Sequence, residues 1–342
     1  MLNPYLEENL AAARNGDQEA FQQLTDPYRR ELLAHCYRML GSFEDAEDIL
    51  QETLLRAWRR LDSFEGRAPL RAWLYRIATY AGLDALDRRK ARGLPSRMTP
   101  PSDPQAALPA PATEIAWLEP FPDALIDPQP AADPEARYDA HESVKLAFLT
   151  VLQTLPGRQR AVLLLRDVLG WSAGETGETL GMTTAAVNSA LQRARATLER
   201  ADTERLRLDS SSAGDENTAS LLAKYMHAWE AADSGALVAL LRRDATLTMP
   251  PVPAWYRGQA DIQAFLQAHL FTWIRPGDLR LHPTKANASP AFAVYQVDPA
   301  SGEYLPAALH VLTLQDGLIA QIDDFLCFDN RLFSRFGLPI SG

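Results

Sequence analysis

Residues 45–92 read DAEDILQETLLRAWRRLDSFEGRAPLRAWLYRIATYAGLDALDRRKAR, and the reading of this stretch decides the fold of the chain's first part. Ala46, Ile49, Leu50, Thr53, Leu54, Ala57 and Trp58 recur at spacings of three and four, which is one apolar face of a helix. Ser42 and Asp45 stand where a capping pair belongs, and Asp45, Glu47 and Asp48 favour the positive end of the helix they begin. Asp45, Asp48 and Glu52 then form a polar stripe expected to lie away from the apolar face. After Phe64 a turn containing Gly66 and Pro69 breaks the pattern, and a second helix follows through RAWLYRIATY. Aromatic residues (Phe64, Trp73, Tyr75, Tyr80) and arginines (Arg67, Arg71, Arg76, Arg88, Arg89) crowd this second part.

That crowding matters because the chain as a whole is acidic. Over 342 residues the net charge is -10, which by itself speaks against nucleic acid as a partner. The charge is segregated, however. Between Glu65 and Arg97 eight basic residues face three acidic ones, and between Met98 and Ser143 Arg137 is the only base among nine carboxylates. Local charge decides which surface meets phosphate, so DNA stays open as a partner. The length predicts two or three domains, and 46% hydrophobic residues with 23% charged is ordinary globular composition. The start, MLNPYLEENL, lacks the basic and apolar regions of a secretion signal, and no apolar run approaches a membrane span. Cys36 and Cys327 are far apart without metal-ligand spacing, so neither disulfide, metal nor cofactor is expected and a cytoplasmic setting fits.

Outward from the opening stretch, four blocks emerge. Residues 1–97 read as helical. Residues 98–140 are rich in proline, alanine and carboxylates, with PPSDP and DPQPAADP, and read as an extended linker. Trp117, Leu118, Phe121 and Leu125 are too apolar for a free linker and suggest that it docks on something. Residues 141–205 return to helical periodicity. After a second linker, DSSSAGDEN (209–217), residues 218–336 combine helices with β-rich runs such as AFAVYQV.

The stretch from Asp45 to Arg92 resembles region two of the extracytoplasmic-function (ECF) branch of the sigma-70 superfamily. The resemblance implies that the segment carrying Asp45, Asp48, Gln51 and Glu52 docks on the clamp helices of the largest subunit of core RNA polymerase. A carboxylate stripe beside an apolar edge suits a basic helix pair on its own physical terms. The resemblance further implies that the Phe64–Arg71 loop captures a flipped base of the minus-10 promoter element. Phe64, Trp73 and Tyr75 supply walls and Arg67, Arg71, Arg76, Arg88 and Arg89 supply charge. Trp73, Leu74 and Ile77 read equally well as helix core. The family's linker threads polymerase channels, for which a carboxylate-rich strand is a nucleic-acid mimic; a passive spacer is the other reading.

The second constellation, LQTLPGRQRAVLLLRDVLGWSAGETGETLGMTTAAVNSALQRARATLER (152–200), ends in a helix-turn-helix, with Gly181 marking the tight turn. In its last helix Val187, Leu191, Ala194 and Leu198 face inward, while Asn188, Ser189, Gln192 and Arg193 point out, as a major-groove reader requires. Thr184 and Arg195 flank them, Arg195 being placed for phosphate. By resemblance this is region four, reader of the minus-35 element. Against the family's T-V-K-S-R-L-x-R-A-R pattern, Asn188 and Ala190 replace two basic residues. Thr176 and Gly177 replace a common Ile-Ala pair and are expected to weaken their helix by roughly 0.5–1 kcal/mol.

AWEAADSGALVALLRRDATLTMPPVPAWYRGQADIQAFL (228–266) resembles the SnoaL-like branch of the NTF2-like superfamily, an α+β cone with a curved sheet. The fold class expected for the whole is therefore multi-domain: two all-α helical domains followed by an α+β NTF2-like cone. Trp255, Tyr256, Phe265, His269, Trp273 and His310 are candidates to line a pocket for a small apolar ligand, or else core. Asp244, Asp261, His269, His310, Asp323 and Asp324 are the available acids and bases, none spaced so as to compel catalysis. No catalytic residue is assigned. The short second linker favours intramolecular contact of the C-terminal domain with the sigma domains and regulation through it. Two alternatives are a ligand-responsive helix-turn-helix regulator that never joins polymerase and a bifunctional enzyme; the acidic stripe and the 64–92 cluster argue against the first.

Overall fold

The structure is a computed structural model that describes residues 4–66, 68–88, 92–126, 143–202 and 215–341. It divides into two compact units. The first comprises residues 1–92 and 125–201, the second residues 93–124 and 202–342. The linker expected over 98–140 is therefore not one passive piece, because its first part folds with the C-terminal unit.

In the first unit α1 (Pro4–Arg14), α2 (Gln18–Thr25), α3 (Arg29–Leu40), α4 (Phe43–Arg59) and α5 (Leu70–Leu86) come first. Helices α3, α4 and α5 enclose Leu32, Tyr37, Met39, Ala46, Ala57, Leu74 and Tyr75, all essentially without solvent contact. Left-handed Gly41 ends α3, and the Ser42 side chain accepts from the Asp45 amide at 3.1 Å to start α4, so the sharp corner between them is capped on both sides. The chain then passes through the short α6 (Pro95–Met98) of the second unit. It re-enters the first unit to form α7 (Leu146–Leu152), α8 (Gly157–Leu163) with a π-helical turn (Leu164–Val168), α9 (Ala173–Leu180) and α10 (Thr184–Asp202). Helix α9 opens on a reciprocal capping box between Ser172 and Glu175 and closes on left-handed Gly181.

The glycine expected to weaken α9 has a structural reason. A Cβ on Gly177 would lie 2.6 Å from the Met182 carbonyl oxygen, and the Met182 amide donates to the Gly177 carbonyl at 2.9 Å. The turn of the helix-turn-helix closes so tightly that only glycine fits beneath it.

The second unit holds α11 (Asp215–Glu230), α12 (Ser234–Ala239), β1 (Leu241–Met249), β2 (Val252–Arg257), α13 (Gln259–Phe265), β3 (Leu279–Ala286), β4 (Ser289–Val297), β5 (Tyr304–Gln315), β6 (Leu318–Leu326) and α14 (Arg331–Arg335). The six strands form one sheet in the order β2-β1-β6-β5-β4-β3, antiparallel except for the parallel β1–β6 pair. Leu221, Tyr225 and Trp229 of α11 and Ile262 and Phe265 of α13 pack on Leu247, Leu281, Phe292, Val294 and Ile322 of the sheet. Strand alternation sends Ala293 and Tyr295 to the other face, where Phe333 of α14 covers them. This is the α+β layer arrangement that the sequence led us to expect.

Candidate nucleic-acid and polymerase interface

On α4 the outward stripe is displaced by one position from the expected one. Asp45 is buried and accepts from Arg92 Nη2 at 2.7 Å. Glu52 pairs with Arg56 at 2.7 Å, and Arg56 reaches Asp84 at 3.0 Å. Glu44, Asp48, Gln51, Leu55 and Arg59 are exposed at spacings of four, three, four and four, with exposed Glu47 beside them. Asp48 and Gln51 thus stand on the stripe, Glu52 flanks it, and Asp45 braces the helix start. Leu55, 51% exposed, puts an apolar contact at the end of an acidic row. Its membership of the stripe was readable from the i+4 step after Gln51.

The aromatic and basic residues after Phe64 divide between core and surface. Phe64 is buried, with its ring 5.3 Å from that of Trp73. Tyr75 is buried and donates to Glu31 Oε2 at 3.2 Å; burial raises its pKa far above the ordinary phenol value. Arg71 is held by the same Glu31, with Nη2–Oε2 at 2.7 Å and Nε–Oε1 at 3.0 Å, and lies 5.0 Å over the Tyr75 ring. The carboxylate that fixes this arginine, Glu31, lies outside the motif and escaped the sequence reading. Arg76 and Arg88 are exposed, and Arg67 and Arg89 fall outside the described residues.

Two hollows meet on this surface. One, of about 500 Å³, is lined by Phe64, Arg71, Trp73 and Arg76 on one side and by Trp171, Glu175 and Glu178 on the other. The second, of about 510 Å³, is lined by Arg56, Arg60, Trp73, Arg76 and Tyr80. Cationic walls interleaved with aromatic rings are the physical requirement for taking up a single strand. Arg56 and Arg60 extend the basic surface beyond the residues singled out from sequence.

On α10, Val187 and Ala194 are fully buried and Thr184, Asn188, Ser189, Gln192, Arg193 and Arg195 are exposed. Arg195 forms an ion pair with Asp167 at 2.7 Å. Ala190, at a position where the family pattern carries arginine, is buried.

In the second unit the six pocket candidates do not form a single group. Tyr256 stacks on Phe265 at 4.3 Å inside the core. Trp255 Nε1 donates to the Thr99 carbonyl at 2.9 Å, and His269 Nε2 lies 3.1 Å from the Pro104 carbonyl, so both residues hold the connecting segment. Trp273 is exposed and donates to the His269 carbonyl at 2.7 Å. His310 belongs to a buried cluster: its Nδ1 is 2.8 Å from the Tyr225 hydroxyl and its Nε2 is 3.5 Å from Asp324 Oδ1. Burial lowers His310 to about 3 and raises Asp324 to about 7, so each is driven towards its neutral form. Asp323 accepts from Thr248 and Gln321, Asp244 pairs with Arg242, and Asp261 sits in the first turn of α13.

The connecting segment is built into this unit. The Ser102 amide donates to the Trp255 carbonyl of the edge strand β2 at 2.8 Å, and the Ala112 amide donates to the carbonyl of Pro251, just ahead of β2, at 2.9 Å. At the β3–β4 turn the Phe121 amide donates to Asn287 Oδ1 at 2.8 Å and the Asn287 amide returns a bond to the Phe121 carbonyl at 2.9 Å. Leu118 and Phe121 have no solvent contact.

Three family models match: sigma-70 region 2 over residues 24–92, sigma-70 region 4 over 145–198 and a SnoaL-like domain over 222–322. Fold and site therefore define a two-region promoter-reading protein with an appended α+β unit. The ECF RNA polymerase sigma factor SigG of Mycobacterium tuberculosis is 46% identical over 333 residues, covering 97% of this chain and 86% of the relative. The ECF RNA polymerase sigma factor SigW of Bacillus subtilis is 31% identical over 198 residues, covering 57% of this chain and 95% of the relative. The crystal structure of the M. tuberculosis ECF sigma factor SigJ matches with a TM-score of 0.57 at 24% identity, covering 91% of this chain and 97% of that one, a likeness of fold. The chain belongs to the ECF RNA polymerase sigma factors, which join core polymerase and direct initiation at promoter DNA. No helix among the described residues is long and apolar enough to cross a membrane.

Proposed function

We propose that the SnoaL-like unit regulates this sigma factor by holding the segment that joins its two promoter-reading regions. The observation that carries the reading is the seating of residues 93–124 in that unit, hydrogen-bonded along β2 and at the β3–β4 turn. A segment fixed in this way cannot simultaneously lie extended in a polymerase channel, so binding core requires its release. In this reading Asp48, Gln51 and the flanking Glu52 meet polymerase, with Asp45 bracing the helix. Phe64, Arg71, Trp73 and Arg76, which line the hollow, form the minus-10 site together with exposed Arg88, and buried Tyr75 braces it through Glu31. Arg67 and Arg89, assigned to the same site from sequence, lie outside the described residues. Thr184, Asn188, Ser189, Gln192, Arg193 and Arg195 form the minus-35 site. The chain acts as a non-enzymatic specificity subunit in the cytoplasm, where its polymerase is.

Core polymerase reconstituted with the full chain, with residues 1–209 and with Asn287→Ala tests this by promoter-directed transcription. Asn287→Ala removes the amide oxygen that accepts from Phe121, and a several-fold rise in transcript is expected for it and for the truncation. Equal output from all three would remove the regulatory role and leave the sigma activity intact.

A further inference from the structure

The hollow of about 500 Å³ has an unusual composition: its aromatic and cationic wall comes from the minus-10 surface, and its opposite wall comes from the first helix of the helix-turn-helix. Glu175 and Glu178 of α9 stand one helical step apart, are both exposed, and line the hollow together with Arg71 and Arg76. Trp171, just ahead of α9, sets its ring edge-on to Tyr75 at 5.6 Å. The π-helical turn (Leu164–Val168) precedes this tryptophan, whose amide donates to the Leu165 carbonyl at 3.0 Å and whose carbonyl accepts from Arg166. Two carboxylates and a flat ring opposite arginines and aromatics reproduce the phosphate-and-base pattern of a single strand.

We propose that α9 with Trp171 is an intramolecular occupant of the minus-10 groove, an acidic stand-in for the displaced DNA strand. The inference rests on the reading of residues 64–76 as the minus-10 site. An occupant tethered on the same chain acts at an effective concentration of order millimolar. Facing carboxylates held at that concentration oppose entry of a free anionic strand, because they place like charge where its phosphates would sit.

The joint that brings the two walls together is suited to opening. Arg160 of α8 is buried and donates to the Met39 carbonyl of α3, to Gln153 Oε1 at 2.6 Å, and to the Gln153 and Leu155 carbonyls at 2.9 and 3.1 Å. Gln153 Nε2 adds a bond to the Arg38 carbonyl at 3.3 Å. All of these acceptors are neutral amide oxygens, so the guanidinium gives up its hydration without gaining an opposite charge from them. Such a joint fixes geometry more than it adds stability, as a contact that must yield to polymerase and promoter requires.

The test uses the full chain without polymerase and a fluorescein-labelled random-sequence 12-nucleotide single-stranded DNA pool, read by anisotropy at fixed salt. Glu175→Gln with Glu178→Gln removes both charges, and glutamine can keep the capping box with Ser172, so the helix start is preserved. The double variant is expected to bind DNA at least about threefold more tightly, and adding Arg76→Glu is expected to abolish the gain. If the double variant binds like the wild type while Arg76→Glu alone weakens binding, self-occupancy is overturned and the minus-10 reading survives. If neither change alters binding, both are overturned. A second measurement places donor and acceptor dyes on Gln51→Cys and Gln192→Cys in a Cys327→Ser background. Energy transfer is expected to fall on addition of the DNA pool, and unchanged transfer at saturating DNA would show that the strand binds without displacing α9.

Discussion

His35 illustrates how a single side chain ties the region-two core to pH. Its Nε2 lies 2.9 Å from Thr79 Oγ1, and that hydroxyl already donates to the Tyr75 carbonyl at 2.7 Å. The imidazole must therefore be the donor to Thr79, as the neutral Nε2–H form. Burial, reinforced by Arg38 and Arg71, lowers its pKa to about 3 from 6.5. A depressed folded-state pKa means the stabilisation is fully present above pH 6.5 and lost progressively as pH falls towards 3. The wild type is therefore expected to lose about 2 kcal/mol more than His35→Gln between pH 7.5 and 5.0, glutamine keeping a donor for Thr79. Urea unfolding of both proteins across that range checks it, and parallel pH curves would show that His35 does not titrate with folding. Nothing in the sequence marked His35, because its partners Tyr75 and Thr79 sit 40 and 44 positions away along the chain. By contrast, the outward set on α10 was fully legible, since a helical period alone fixes which side chains share a face.

At the scale of the element, helical period located α4, α5 and the helix-turn-helix, but not the exact rotation of each within its neighbours. The α4 stripe runs through Glu44, Asp48, Gln51, Leu55 and Arg59, and Asp45 turned inward because Arg92, beyond the far end of α5, reaches it. Gly177 is the other case. Intrinsic propensity ranks alanine above glycine by about 1 kcal/mol in a helix interior, so Gly177→Ala taken alone predicts a more stable α9. The Met182 carbonyl, 2.6 Å from where the new Cβ would sit, is backbone and cannot rotate aside. Overpacking of this kind costs roughly 1–3 kcal/mol and outweighs the propensity gain. Gly177→Ala is expected to lower the thermal midpoint and to loosen α10, weakening binding to duplex DNA carrying an upstream promoter element. A rise in the midpoint would mean that the turn relaxes at no cost.

For the whole molecule, composition and proline placement announced a linker and its apolar residues announced that it docks, yet not where. The hydrogen-bonded partners Phe121 and Asn287 are 166 positions apart, and no local pattern encodes such a pair. The consequence is that residues 93–124 should share the stability of the second unit and not behave as a connection. Phe121 is fully buried, and truncating a buried phenylalanine typically costs about 3–5 kcal/mol. In native-state hydrogen exchange of the full chain, the amides of Leu118 and Phe121 are expected to be protected together with those of β2 and β4. The Leu118 amide donates to the Gly93 carbonyl at 2.9 Å and that of Phe121 to Asn287, so both have an acceptor to lose. Phe121→Ala is expected to abolish their protection and to lower that of the β3–β4 turn, while α3 and α5 exchange as before. Rapid exchange at Leu118 and Phe121 in the wild type would mean that the segment is already released in the free protein. Regulation would then have to act on something other than its capture.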